Sequence, residues 1–142
     1  MTRKLEPLDL VRVVVAVVFI TEGVLKFLYP ADLGSGRFGR IGLPMPGLLA
    51  PLVGVVEVLG GLALLVNLVP GFAALTLLGV IAVALVTTKL PVLLGRPVGS
   101  FTLMKAPIYG VLGFLHESRT DLSMLAGTLA LIWRHGLGRG RR

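Results

Sequence analysis

Residues 48–69, LLAPLVGVVEVLGGLALLVNLV, are apolar throughout except for one carboxylate, Glu57, and one amide, Asn67. As a helix rising 1.5 Å per residue this run is about 33 Å long, enough to cross a hydrocarbon layer of about 30 Å. A carboxylate at mid-depth costs several kcal/mol unless it is paired or protonated, so Glu57 marks a site or a specific helix contact. Glu22 holds the same kind of position inside the earlier apolar run 8–29. The whole chain agrees: 55% of the 142 residues are hydrophobic and only 15% are charged, where soluble domains carry about 25% charged residues. With a mean hydropathy of +0.92, the reading is an integral membrane protein.

Outward from this run, Pro70-Gly71 is expected to turn the chain into a third crossing at 72–89, antiparallel to the second. The first crossing, 8–29, follows Arg3 and Lys4 but lacks the small-x-small cleavage site of a signal peptide. Residues 31–47, with Gly34, Gly36, Gly39, Gly42, Pro44 and Pro46, read as a loop carrying Arg37 and Arg40. Residues 90–118, broken by Pro91, Gly95, Pro97, Gly99 and Pro107, read as a long connection whose apolar pieces cap the bundle. The last crossing, 115–134, is the shortest in apolar content. It is expected to begin with Ser118 or Thr120 as cap, Asp121 at the positive end of the helix dipole, and Trp133 in the interfacial aromatic belt. The expected fold is an all-α, integral membrane four-helix antiparallel bundle, one domain over residues 1–142.

Four crossings place both termini on one side. Arg3, Lys4, Arg12, Arg134, Arg139, Arg141 and Arg142 then oppose Arg37, Arg40, Arg96, Lys105 and Arg119, which favours cytoplasmic termini in a bacterial-type inner membrane. The formal charge of +7 is read as a set of lipid-surface anchors, Arg12 among them; no nucleic-acid module is present. The absence of cysteine excludes disulfides, dithiol exchange, iron–sulfur clusters and thiolate metal sites within this chain.

Depth links the acids. Glu22 lies about 10 Å from the Tyr29 end of its helix, and Glu57 about 14 Å from the Leu48 end of the next, on the same face of the membrane. Lys26 follows Glu22 in the favourable i,i+4 order, and Lys89 at the end of the third helix reaches the same region. Gly54, Glu57 and Gly61 share one helix face, whose small residues let a neighbouring helix approach and bury the acid. Glu22, Lys26 and Glu57 are therefore the candidate catalytic residues, and Gly54, Glu57, Gly61 and Lys89 the candidate lining of a quinone site. The plainer readings stand beside these: Lys26 as a snorkelling anchor and Glu57 as helix–helix glue. His116 and His135 stand about 28 Å apart on a continuous helix and cannot share a metal. Met45, Met104 and Met124 read as packing residues, and no metal site is expected.

The chain resembles the DoxX family of small four-helix membrane proteins. The resemblance is carried by Glu22-Gly23-Val24-Leu25-Lys26-Phe27, Gly42-Leu43-Pro44, and Glu57-Val58-Leu59-Gly60-Gly61 with Leu64. It continues in His116-Glu117-Ser118-Arg119-Thr120-Asp121 and Gly136-Leu137-Gly138, and departs from the family in the basic tail Arg139-Gly140-Arg141-Arg142. It implies a component of membrane redox systems, one branch of the family being associated with thiosulfate oxidation coupled to quinone. Three functions follow as expectations. The first is a subunit of a quinone-linked or electron-transfer oxidoreductase system with a buried Glu relaying protons; the second is a noncatalytic accessory subunit packing on other membrane subunits; the third is a small carrier or lipid-binding protein. No intrinsic cofactor is expected, quinone being the candidate ligand, and with no cofactor motif the chain is at most a subunit of an enzyme.

Overall fold

The computed structural model describes residues 5–137. The expected anchors Arg3, Lys4, Arg139, Arg141 and Arg142, and Gly138 of the last motif, lie outside the described residues. Among those residues the protein is helical, with a single isolated bridge between Val98 and Phe101 as its β-structure. Helix α1 (Pro7–Leu28) begins at a proline whose missing N–H would have been unsatisfied in any case. The loop read at 31–47 contains a short helix, α2 (Ser35–Ile41), which ends on Gly42 at φ 95°. Only a residue without Cβ fits there, since a side chain would strike the Ser100 carbonyl.

Helix α3 (Pro46–Leu65) and helix α4 (Pro70–Ala84) form the expected hairpin. The turn is Val66–Val69 rather than Pro70-Gly71, because Pro70 occupies the first turn of α4. The third helix does not stop at Lys89. It passes through a π-turn (Leu85–Lys89) into α5 (Leu90–Leu94) and ends on Gly95 at φ 63°. Pro91 has no N–H for the carbonyl one turn back, and the hydrogen-bond register widens before it, with the Leu90 N–H reaching the Leu85 carbonyl. Thr87 and Thr88 fold their hydroxyls onto the Val83 and Ala84 carbonyls at 2.8 and 2.6 Å.

The last helical stretch is also longer than expected and is broken, as α6 (Val111–Glu117) and α7 (Arg119–His135) joined at Ser118. Of the two expected caps, Ser118 holds the N-cap position of α7, fully buried and with no capping hydrogen bond from its hydroxyl, while Thr120 lies inside the helix.

The long helices pack in a ring: α1 on α3, α3 on α4, α4 on α7, and α7 back on α1. Val15, Phe19, Leu64, Leu77, Ile81 and Leu131 fill its centre. The α1–α3 seam is the tightest. A Cβ on Gly23 would stand 2.6 Å from the Gly54 carbonyl oxygen, and one on Gly61 would stand 2.9 Å from that of Ala16. Outward, the helices are apolar: Leu52, Leu59, Leu62, Val83 and Val86 are exposed, as is Trp133 at 93%.

Among the described residues two helices, Pro46–Leu65 and the continuous Pro70–Leu94, are long and apolar enough to cross a membrane. Only 28% and 33% of their apolar windows are buried inside the protein, so they are not the core helices of a water-soluble domain. Helix α1 has the length, but it carries Asp9, Arg12, Glu22 and Lys26.

At the end of the ring where the start of α1 meets the end of α7, the charges bind one another. Arg134 reaches Glu6 at 2.7 Å and Asp9 at 3.6 Å, and Arg12 stands 3.8 Å from Asp9. Arg12 is not the exposed anchor expected of it. Its guanidinium donates to the Leu64 and Leu65 carbonyls at 2.5 and 3.0 Å, capping the last turn of α3. At the same end Gly71 lets the Gly136 backbone come against α4. Replacing Arg12 by Met keeps most of the stem but strands those two carbonyls. Hydrogen bonds from a charged donor contribute about 1.5–3 kcal/mol each, so Arg12→Met is expected to lower unfolding stability by about 3 kcal/mol. Thermal unfolding in detergent, against an exposed Leu10→Met control, measures it.

Candidate functional site

The opposite end of the ring encloses a cavity of about 700 Å³, within the range of ligand sites. Helices α1, α3 and α4, the π-turn and the start of α7 form its walls, and α2 lies against it through Arg37 and Phe38. The connection after α5 is tied to α2: the Thr102 N–H donates to the Ile41 carbonyl at 3.0 Å, and the Thr102 hydroxyl donates to the Arg40 carbonyl at 2.6 Å. Arg40 itself donates to the Ala31 and Asp32 carbonyls at 2.9 and 3.2 Å, holding the bend between α1 and α2. The charge read on this loop is thus engaged with backbone carbonyls.

Glu57 is buried, its side chain 5% exposed, and Lys26 of α1 meets it across the seam with Nζ to Oε2 at 2.7 Å. The glycine contact explains the reach. Gly23 and Gly54 bring the two backbones together one turn from these side chains, so a lysine on α1 spans to a glutamate on α3. Glu22 stands 4.0 Å from Lys26 Nζ, and Lys26 also donates to the Glu22 carbonyl at 3.4 Å. The three residues expected to cluster therefore meet, with one correction: Glu22 is not buried. Its side chain is 54% exposed, at the rim of the cavity.

The candidate lining residues divide. Glu57 and Lys89 line the cavity, whereas Gly54 and Gly61 face α1 in the seam and form no part of its wall. Lys89 is paired with Asp121 of α7 at 3.6 Å, a partnership that residues 32 positions apart do not advertise in sequence. Asp121 does occupy the first turn of α7, as read for the helix dipole. Glu117, Thr120 and Met124 also border the cavity, so Met124 is wall as well as packing. The Thr-Thr-Lys run ahead of Pro91 is the sequence signal, overlooked, that the third helix carries an irregular turn into the site. His116 and His135 lie on α6 and α7, and no group of three or more His, Asp or Glu side chains able to hold a metal occurs among the described residues.

Chemically, the site is a chamber of mixed wall, apolar side chains with threonines, Arg37 and Glu117, and it has a cation–carboxylate pair on each of two opposite seams, α1–α3 and α4–α7. The family model of DoxX matches residues 8–90, the segment that supplies Glu22, Lys26, Glu57 and Lys89. The chain belongs to the DoxX family. It is 43% identical over 123 residues to the uncharacterized membrane protein Rv3486 of Mycobacterium tuberculosis, covering 87% of this chain and 71% of that protein. No solved structure matches it. This DoxX-family chain is thus a helical membrane protein whose family segment holds the more deeply buried of the two ion pairs.

Removing one member of a buried pair leaves the other uncompensated, at a cost of about 3–5 kcal/mol, while replacing both by apolar groups is often neutral. Lys26→Met is therefore expected to lose about 3–5 kcal/mol of unfolding stability, and the double change Lys26→Met with Glu57→Leu to recover most of it. Detergent unfolding of the three proteins measures both effects; a double variant no better than the single one would show that the pair is not the coupled unit.

Proposed function

We propose that this protein is a four-crossing subunit of a quinone-linked or electron-transfer membrane system, with the Lys26–Glu57 pair as its proton-handling site. The observation that carries the reading is the 700 Å³ cavity with that pair buried in its wall. In this reading α1, α3, the continuous α4–α5 helix and α7 cross the bilayer. Two of these are apolar enough by themselves; α1 crosses because its charges are paired, Arg12 with Asp9 and the α3 carbonyls, and Lys26 with Glu57. Both termini lie on the cytoplasmic side of the cell membrane, and the cavity end faces the other way.

A quinone suits the cavity in size and in wall chemistry, which combines apolar side chains such as Phe19, Leu49, Val53 and Val80 with charged groups and threonines that can meet its oxygens. When bound it supplies redox chemistry that needs protons inside the lipid layer. The chain's own part is to hold the ring and to carry a proton. Glu57 is the acid that can hold one, Lys26 holds its carboxylate in place, and the half-exposed Glu22 is the group in contact with bulk water. The chain acts with partner subunits, which supply the electrons. The alternative, a noncatalytic accessory subunit, is favoured by the lipid-facing apolar surface, including the shallow depression lined by Val24, Phe27, Val55 and Leu59 on the outside of the α1–α3 seam.

Reporter fusions at the two termini test the crossing count: same-side signals are expected, and opposite-side signals would rule out an even number. Glu57→Gln keeps shape and removes proton exchange. The proton-site reading expects normal complex abundance with quinone-coupled turnover reduced at least about 100-fold, the usual scale of a general acid–base group. Turnover that falls only in proportion to assembly identifies the accessory role. Purification in mild detergent, with identification of co-purifying subunits and extracted quinone, supplies the complex for that assay.

A further inference from the structure

We propose that the cavity seats a tailed quinone, its ring between the two ion pairs and its hydrocarbon tail leaving sideways between α3 and α4 past Gly79. The proposal rests on the quinone-linked reading above and deepens it by assigning the two ends of the ligand.

The cavity has an end where Lys26, Lys89 and their carboxylates stand and a flank that runs along the third helix. Its wall on the third helix follows one face from Thr76 through Gly79, Val80 and Val83 to Thr87 and Lys89, about 20 Å along the axis. Thr87 is buried, whereas Thr76, Gly79 and Val83 are exposed. The chamber therefore opens outward along α4 between Thr76 and Val83, toward the surrounding hydrocarbon. Thr76 turns its hydroxyl onto the Phe72 carbonyl at 3.0 Å, which satisfies its polar hydrogen within the helix. Leu49 and Val53 of α3 line the facing side.

At Gly79 this flank is open, because a Cβ built there meets no atom within 4 Å. Gly23, Gly54, Gly60 and Gly61 all abut a neighbouring helix closely, so Gly79 is not explained by helix packing. A cavity this long, with both ammonium groups toward its Lys89 end, fits an amphiphile better than a bare ring.

The ionic end fits the ring for a separate reason. A para-quinone carries an acceptor oxygen at each end of its ring, and the cavity presents an ammonium from each of two opposite seams, Lys26 and Lys89. The Lys89–Asp121 contact, at 3.6 Å, is too long for a hydrogen bond, so this ammonium retains donor capacity for the ligand.

The test is equilibrium binding of two probes to the full-length protein in one detergent: a decyl-tailed dimethoxymethylbenzoquinone and the same ring without a tail. Wild type is expected to bind the tailed probe at least about tenfold more tightly, since each buried methylene adds favourable transfer energy. Gly79→Leu fills the open flank and is expected to remove that advantage while leaving tail-less binding unchanged. Val83→Trp, one turn along the same flank, is expected to do likewise, and Lys89→Met to weaken both probes. Partition into detergent is common to all the proteins, so only the difference between them counts. Equal affinity of wild type for the two probes, or full tailed-probe affinity in both flank variants, overturns the lateral tail path and leaves the quinone reading standing. Failure of wild type to bind either probe overturns both.

Discussion

The contact between Lys26 and Glu57 is the constraint around which the rest of the cavity end is arranged. A carboxylate midway along an apolar helix has to find a cation, and the only route to one at 2.7 Å is for two helices to approach closely. Gly23 and Gly54 supply that approach, because any larger residue on α1 would meet the α3 backbone. Charge pairing and glycine packing are thus one feature seen twice. The ion pair determines where the seam must be tight, and the seam determines that the pair is shielded from lipid. Its energetic value lies in not being broken, since a buried pair adds little over an apolar replacement but leaves a costly orphan when halved.

The second helix and its acid were legible because their signals are local. Length, hydropathy and the Gly54–Glu57–Gly61 spacing all fall within one run of 22 residues. The pairing of Lys26 with Glu57 was legible too, through depth along two antiparallel helices. What escaped the sequence reading was of two kinds. Pro91 reads as a helix terminator, because the rule that proline breaks a helix does not foresee a register shift that absorbs the missing donor. Lys89 with Asp121, and Arg12 with the Leu64 and Leu65 carbonyls, join elements far apart in the chain, and no periodicity encodes such meetings. The site lining was misread for a related reason. A small residue serves equally to admit a helix or to leave a void, and only the packing tells Gly54 and Gly61 from Gly79.

The membership in the DoxX family and the geometry speak to different levels. The matched segment, residues 8–90, contains Lys26, Lys89, Glu22 and Glu57, but Glu117, Asp121 and Met124 of the cavity wall lie beyond it. The part of the chamber contributed by the end of α6 and the start of α7 is therefore outside the family segment.

The termini end of the ring carries a consequence of another sort. Arg12 ties α1 to the last turn of α3, Arg134 ties α7 to the start of α1, and Gly71 seats α4 against the close of α7. All four long helices are thus clamped at one level, while the far level is joined by two ion pairs on opposite seams. The two levels are held by different means: at one, a guanidinium on backbone carbonyls and a glycine contact with backbone join the Arg134 ion pair; at the other stand ion pairs between side chains, whose strength depends on both partners keeping their charge.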